Sequence, residues 1–324
     1  MLRMSAVLLA LIAICASAPA MAQADVWPSR YVRLIVPFAA GGAADVVTRI
    51  VAAQISKNLD RNFVVENRTG GNGNIGTEAA ARADADGYTF LVGSPGTLAI
   101  NPHVFAKLPY DAETDFVPVS HVAIFPQVLA LSMKLPAASL DEFIAYAQAR
   151  PGTLNFGSSG NGSTGHLITA MFMSQAGVKA LHVPFRGGGP AAQALVSGDV
   201  DFVIDGLPTF QGLLDTKAVK VVAITSAQRW PNLPDVPAIG EKAVPGFDLS
   251  SWVIFAAPKG TAREIVDRFS AEVTKALSSA EVQRLLSQIG AIPVGTSPEA
   301  AKQFQQTELA KWKRVVDVSG TRMP

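Results

Sequence analysis

The residues of this chain that could do chemistry are gathered in short loops of glycine, hydroxyl and amide residues, each between a β-favouring run and a helical pattern. They are Phe38-Ala39-Ala40-Gly41-Gly42 ahead of Asp45, Gly93-Ser94-Pro95-Gly96-Thr97, Gly157-Ser158-Ser159-Gly160-Asn161-Gly162-Ser163-Thr164, and Arg186-Gly187-Gly188-Gly189-Pro190. A loop that feeds the first turn of a helix exposes unpaired N–H groups at the positive end of the helix dipole. A carboxylate or phosphate can be held there without a cationic side chain. Glycines also make turns, and Asp45, Ser163 and Thr164 also carry helix-capping side chains, so no single loop identifies a site. Four such loops, spread over both halves of the chain, point to a cleft for a small anion.

Other chemistries find less support. Gly71 to Gly76 and Gly160 to Gly165 both match G-x-G-x-x-G, each after a β-favouring run and opening a helix, as a dinucleotide site requires. That fingerprint also needs an acid at the end of the next strand for the ribose hydroxyl. Here those strands end in Gly93-Ser94 and Phe185-Arg186, so nucleotide binding is disfavoured. The four histidines, His103, His121, His166 and His182, show no H-x-x-x-H or H-x-H spacing, so a metal site lacks local support. No Gly-x-Ser-x-Gly elbow occurs, and the one cysteine, Cys15, lies in the N-terminal segment. No catalytic residue, metal or cofactor is therefore expected.

The elements that must position these loops alternate between strand and helix. Tyr31 to Phe38, Phe63 to Glu66 and Tyr88 to Gly93 read as strands; between them Ala44 to Leu59 and Asn74 to Ala83 read as helices. That order predicts a parallel sheet with helices on its faces, its ligand loops at the strand carboxyl ends. Phe116 to Met133 is a long β-favouring stretch broken by Pro118 and Pro126, fit to carry the chain between domains. A second series follows, with helices at Ser139 to Arg150, Thr164 to Ala176 and Pro190 to Ser197. Its strands are Leu154 to Ser158, Ala180 to Phe185, Val200 to Ile204 and Val219 to Thr225. Ser139 and Glu142 have capping-box spacing. A Pro-rich connection from Trp230 to Pro245 leads to a strand at Trp252 to Ala257 and to helices at Ala262 to Leu277 and Pro298 to Val316. The expected architecture is two α/β lobes, with the chain returning to the first near Ser250.

The 324 residues suffice for about two domains at ~150 residues each. Charged residues make up 16%, below the usual ~25%, which favours an ordered globular chain. With 27 basic against 26 acidic residues and no Lys/Arg run, nucleic acid is set aside as a partner. Arg3, the apolar stretch Ala6 to Ala16 and the small-residue repeats from Ala18 to Ala24 form an export signal with A-x-A-like cleavage sites. Residues 1–24 are thus expected to be removed, Cys15 with them, leaving basic and acidic residues equal in number. No later stretch approaches ~18 uninterrupted apolar residues.

These segments in order resemble the extracytoplasmic solute-binding receptors of the tripartite tricarboxylate transporter type, the Bug family. The resemblance is carried by WPSRYVRLIVPFAAGGAADVVTRIVA, VVENRTGGNGNIGTEAAARADADGYTFLVGSPGTLAINP and LNFGSSGNGSTGHLITAMF, and further on by VPFRGGGPAAQALVSGDVDFVIDGLP, KVVAITSAQRWPNLPDVPAIGE and VGTSPEAAKQFQQTELAKWKRVV. It covers essentially the whole chain after the export signal. It implies a type II periplasmic-binding-protein fold: residues 25–125 with 251–324 as one lobe, 126–250 as the other, a two-strand hinge, and ligand between the lobes.

By the same resemblance, the loop with Phe38, Ala39, Gly41, Gly42 and Asp45 holds one ligand carboxylate, and Ser94 and Thr97 belong to a second loop of that lobe. Ser158, Asn161, Ser163 and Thr164 match the opposing loop, and Asp205 matches an acid that faces a ligand's distal end. Phe185 and Arg186 stand where many relatives carry an aromatic or Lys, leaving the role of Arg186 open between cleft wall and surface cation. The implied function is a monomeric periplasmic receptor, not an enzyme, that delivers a small carboxylate to the membrane subunits of a tripartite transporter. A ligand-sensing partner of a membrane sensor is the alternative, and an exported hydrolase a third. Ligand identity is left open among tricarboxylates, C4 dicarboxylates, acidic amino acids, aromatic acids and nicotinate-type molecules.

Overall fold

The computed structural model describes residues 27–319 and 321–323. The export signal and Cys15 lie outside the described residues. The first half of the fold is built from β1 (Val32–Val36), α1 (Ala43–Leu59), β2 (Phe63–Asn67), α2 (Asn74–Ala81) and β3 (Thr89–Gly93). β1 pairs in parallel with both β2 and β3. A π-helical turn at Gly96–Ile100 then runs into the short α3 (Asn101–Val104).

The long β-favouring stretch becomes one strand, β4 (Phe116–Ser132). After it come α4 (Leu140–Gln148), β5 (Leu154–Ser158), α5 (Thr164–Ala176), β6 (Ala180–Pro184) and α6 (Gly188–Ser197). β7 (Phe202–Gly206) runs directly into α7 (Leu207–Asp215), followed by β8 (Val219–Ile224) and α8 (Ile239–Lys242). β9 (Ser250–Pro258), α9 (Arg263–Leu277), α10 (Ala280–Gln288), β10 (Ile292–Pro293) and α11 (Pro298–Ser319) complete the chain.

Ten strands form one mixed sheet, with the main path β2-β1-β3-β9-β4-β7-β5-β6. Residues Phe116 to Pro126 of β4 pair antiparallel with β9, and Gln127 onward lies between β7 and β8. Beyond this crossing, β5 pairs in parallel with β6 and β7. A polar residue placed where β4 changes partners therefore sits at the centre of the molecule.

The core follows the patterning. α9 buries Val266, Phe269, Val273 and Ala276, spaced three and four apart on one face. Phe269 meets Phe90 at a ring separation of 4.3 Å and lies parallel to Phe255 at 5.7 Å. Another apolar cluster joins Leu91, Leu129, Phe156, Phe172, Trp252 and Trp312, so it spans the crossing. Within it the buried Glu308 carboxylate accepts from Trp252 Nε1 at 2.7 Å and from Trp312 Nε1 at 3.0 Å, tying α11 to β9. At α4 the Ser139 hydroxyl accepts from the Glu142 N–H at 3.2 Å, while Glu142 reaches back to the N–H of Ala138 at 2.7 Å.

Candidate functional site

The carboxyl ends of β1 and β3 face those of β5 and β7 across a cleft of about 520 Å³, open solvent at its mouth included. On one side the chain leaves β1 through Phe38 and Ala39 and enters α1 at Gly42, an extended cap that offers no side chain to the first turn. The Ala43 and Ala44 positions of that turn line the cleft. Asp45, only 3% exposed, turns back onto its own loop. Its Oδ2 accepts from the Gly41 N–H at 3.0 Å and from Arg49 Nε at 3.0 Å, and Asn67 Nδ2 donates to its Oδ1 at 2.9 Å. Asn67 Nδ2 also donates to the Phe38 carbonyl at 2.9 Å. Burial opposes the charge, but Arg49, the Gly41 N–H and Asn67 together hold this carboxyl below its usual range. Asp45 shapes the loop with its charge already neutralised.

On the facing side Ser163 caps α5, accepting from the His166 N–H at 3.3 Å. Thr164 and Gly165 of the first turn line the cleft, and so does Gly188, which opens α6 without a side-chain cap. The loop below is supported by a pile of rings: Phe156 on His182 at 4.7 Å and His182 on His166 at 4.0 Å. His166 Nδ1 accepts from the Gly162 N–H at 2.9 Å. Burial, with His166 beside it, pushes the His182 imidazole down to about 4, so the pile is neutral.

The two sides touch through glycine. The Ala39 N–H donates to the Arg186 carbonyl at 3.1 Å. A Cβ on Gly42 would stand 3.5 Å from Gly188 N, and one on Gly189 would stand 2.4 Å from the Ala40 carbonyl oxygen. A side chain at Gly189 would hold the sides apart, whereas a methyl at Gly42 would stand in ordinary contact with the facing loop.

The floor comes from the crossing strands: Phe125 and Gln127 of β4 and Ser251 of β9. Gln127 is 3% exposed and its Oε1 has no hydrogen-bond partner. Asp205 stands at the end of β7, its Oδ1 accepting from the Gly206 N–H at 2.7 Å and the Thr209 hydroxyl at 3.3 Å. Burial pushes this carboxyl up to about 6 against those two bonds. Among the described residues no Lys, Arg or His lines the cleft.

Of the residues the sequence nominates, Phe38, Ala39, Gly42, Asp45, Ser94, Ser163, Thr164 and Asp205 are brought together on the cleft wall. Four stand elsewhere. Gly41 faces a surface groove with Gly189. Thr97 is fully buried, its Oγ1 accepting from the Ser94 N–H at 3.2 Å. Ser158 is fully buried 2.6 Å from His182 Nε2, and Asn161 is exposed outside the cleft. Arg186 is exposed and lines a neighbouring groove with Phe38 and Asn72. Phe125, Gln127 and Ser251 line the cleft without having been nominated, and Ser159, Gly165 and Gly188 join them from the glycine-rich segments that composition singles out. For Gln127 one signal existed, a lone amide inside the apolar run that follows Pro126.

The G-x-G-x-x-G segments are used for packing. A Cβ on Gly76 would stand 2.5 Å from the Arg68 carbonyl oxygen, and one on Gly165 would stand 2.2 Å from that of Ile204. In the first segment Asn74 Oδ1 accepts from Asn101 Nδ2 at 2.7 Å, and the Tyr110 hydroxyl donates to the Thr97 carbonyl at 2.8 Å. Among the described residues no group of three or more His, Cys, Asp or Glu is placed to hold a metal ion, and no helix is long and apolar enough to cross a membrane.

The fold is shared with known proteins. The chain is similar to R. palustris Rpa4515, solved with adipate: 40% identity, TM-score 0.89, covering 91% of this chain and 99% of that one. The periplasmic binding protein BugD gives 30% identity and TM-score 0.88 over 91% of this chain and 99% of its own. MatC from Rhodopseudomonas palustris, solved with bound malate, gives 34% and 0.85 over 90% and 100%. The family model of the tripartite tricarboxylate transporter family receptor, TctC, matches residues 47–321. The chain belongs to that receptor family.

Proposed function

We propose that this protein is a periplasmic receptor that captures a small carboxylate between two lobes and hands it to the membrane subunits of a tripartite tricarboxylate-type transporter. Residues 1–24 act as the export signal, 25–125 with 251–324 form one lobe and 126–250 the other, and β4 and β9 are the hinge. One observation carries the reading. The glycine-rich or hydroxyl-capped starts of α1, α5 and α6 converge on a cleft with no basic side chain. Such a wall offers backbone N–H groups and positive helix ends to an anion. The N–H groups of Ala43 and Ala44 and the hydroxyls of Ser94, Ser163 and Thr164 are its donors. Asp45, Thr97 and Ser158 hold the loops that carry them.

The carboxylates bound to Rpa4515 and MatC support this ligand class. Among the described residues no histidine lines the cleft, so its serine and threonine hydroxyls have no imidazole base beside them there. The test is a thermal-shift screen of small carboxylates on the purified protein, with product analysis of each responder. The receptor reading expects at least one carboxylate to raise Tm and to be recovered unchanged. Stabilisation by none, or conversion of a responder, overturns it.

A further inference from the structure

Helix starts line the wall of the cleft, and its floor has a different chemistry. Gln127 projects from β4 where that strand exchanges β9 for β7 and β8. It is 3% exposed, it lines the cleft, and its Oε1 is a buried acceptor without a partner. An unpaired buried acceptor is costly, and apolar side chains fill the neighbouring positions Val128 to Leu131. Elsewhere on the lining, at the β7 position opposite Val128, Asp205 uses Oδ1 for Gly206 and Thr209, and among the described residues none hydrogen-bonds Oδ2. The other titratable lining residue is Asp45, already neutralised by Arg49. The floor therefore presents acceptors, and no cation balances them.

We infer that Gln127 determines specificity by accepting a hydrogen bond at Oε1, so that the preferred solute carries a carboxylate at one end and a hydroxyl or ammonium donor at the other. The inference rests on the receptor reading and deepens it. A donor end gives Gln127 Oε1 the partner it lacks. A bare methyl end leaves the amide unpaired, and a second carboxylate brings another negative group toward Asp205 with no Lys or Arg to offset it.

Calorimetry at pH 7.5 tests this with two matched sets of acids: butanoate, 4-hydroxybutanoate, 4-aminobutanoate and succinate, and hexanoate, 6-hydroxyhexanoate, 6-aminohexanoate and adipate. In the better-fitting set a hydroxy or amino acid is expected to bind at least tenfold tighter than the unsubstituted acid and tighter than the dicarboxylate. Gln127→Leu, which keeps the buried position filled, is expected to reduce the advantage over the unsubstituted acid to under threefold. The inference is overturned if the dicarboxylate binds tightest in the wild-type protein, a result needing no variant. It is overturned equally if Gln127→Leu keeps the full discrimination. Heat from none of the eight acids also overturns the inference, while the receptor reading falls only if the wider thermal-shift screen finds no responder.

Discussion

Replacing Gly189 with alanine separates closure from folding. Gly189 is the second residue of α6, and a Cβ there would lie 2.4 Å from the Ala40 carbonyl oxygen and 3.3 Å from the Gly41 carbonyl carbon. Both are backbone atoms, so no side chain can swing away, and the loop before α1 must retreat by roughly 1 Å to restore ordinary contact. The retreat stretches the bond from the Ala39 N–H to the Arg186 carbonyl, now 3.1 Å. Overpacking costs roughly 1–3 kcal/mol and a neutral hydrogen bond about 0.5–1.5 kcal/mol, so closure should weaken by roughly 1.5–4.5 kcal/mol. Affinity should then fall roughly tenfold to a thousandfold.

On the proposed hinge, lobes that part without ligand relieve this clash, and the same substitution then only removes a glycine from a helix, worth up to ~1 kcal/mol of added stability. Calorimetry with any thermal-shift responder, paired with Tm of the ligand-free protein, reads both effects. The expected signature is weaker binding with an unchanged or higher Tm. Gly212→Ala in α7 is the control, since a Cβ there meets nothing within 4 Å and should leave affinity unaltered. Affinity within threefold of wild type in Gly189→Ala would refute the glycine-mediated closure.

Burial raises Asp205 to about 6, so the folded protein keeps a proton that the unfolded chain releases near pH 4. Its contribution to stability thus falls as pH rises from about 4 to 6, and Asp205→Asn should stabilise the ligand-free protein by about 1–3 kcal/mol at pH 7.5 and little at pH 4, read by urea unfolding. His121 has the opposite sign: burial pushes it down to about 4, so its contribution is intact above about pH 6.5 and lost as pH falls toward 4. His121→Phe, stacked on Phe304 as the imidazole is, should flatten that loss in a Tm series. Glu308→Leu would strand two buried indole N–H groups and should cost about 2–5 kcal/mol in urea unfolding, with Glu308→Gln costing less than half of that.

Much of the fold is legible because hydrophobic periodicity and loop glycines agree: Leu154–Ser158 and Thr164–Ala176 are the strand and helix their patterns predict. The prolines of β4 also make sense in place. Pro118 sits at a register shift against β9, and Pro126 stands where the strand changes partners, so neither missing N–H breaks a regular ladder. α7 escapes the sequence reading because it follows β7 without a loop and carries Gly212 in its interior. α10 escapes it because Ser279 starts a new helix almost directly after α9.

The cleft divides the same way. Loops that cap helices announce themselves by composition, and eight nominated residues reach the wall. Gln127 and Ser251 reach the floor only because β4 and β9 run side by side there, a pairing between segments more than a hundred residues apart. Thr97 and Ser158 have the right side-chain type but spend it inside their own loops.

The central claim is that backbone amides at the helix starts hold the solute carboxylate. Titrating a carboxylate responder into protein labelled with 15N-glycine, and following the amide resonances of Gly42, Gly165 and Gly188, tests it most directly. The account predicts that these three shift together and saturate at one equivalent, while Gly152, remote from the cleft lining, stays in place. Saturable binding that leaves the three unmoved, and that Arg186→Ala abolishes, would contradict the account and put an arginine clamp in its place.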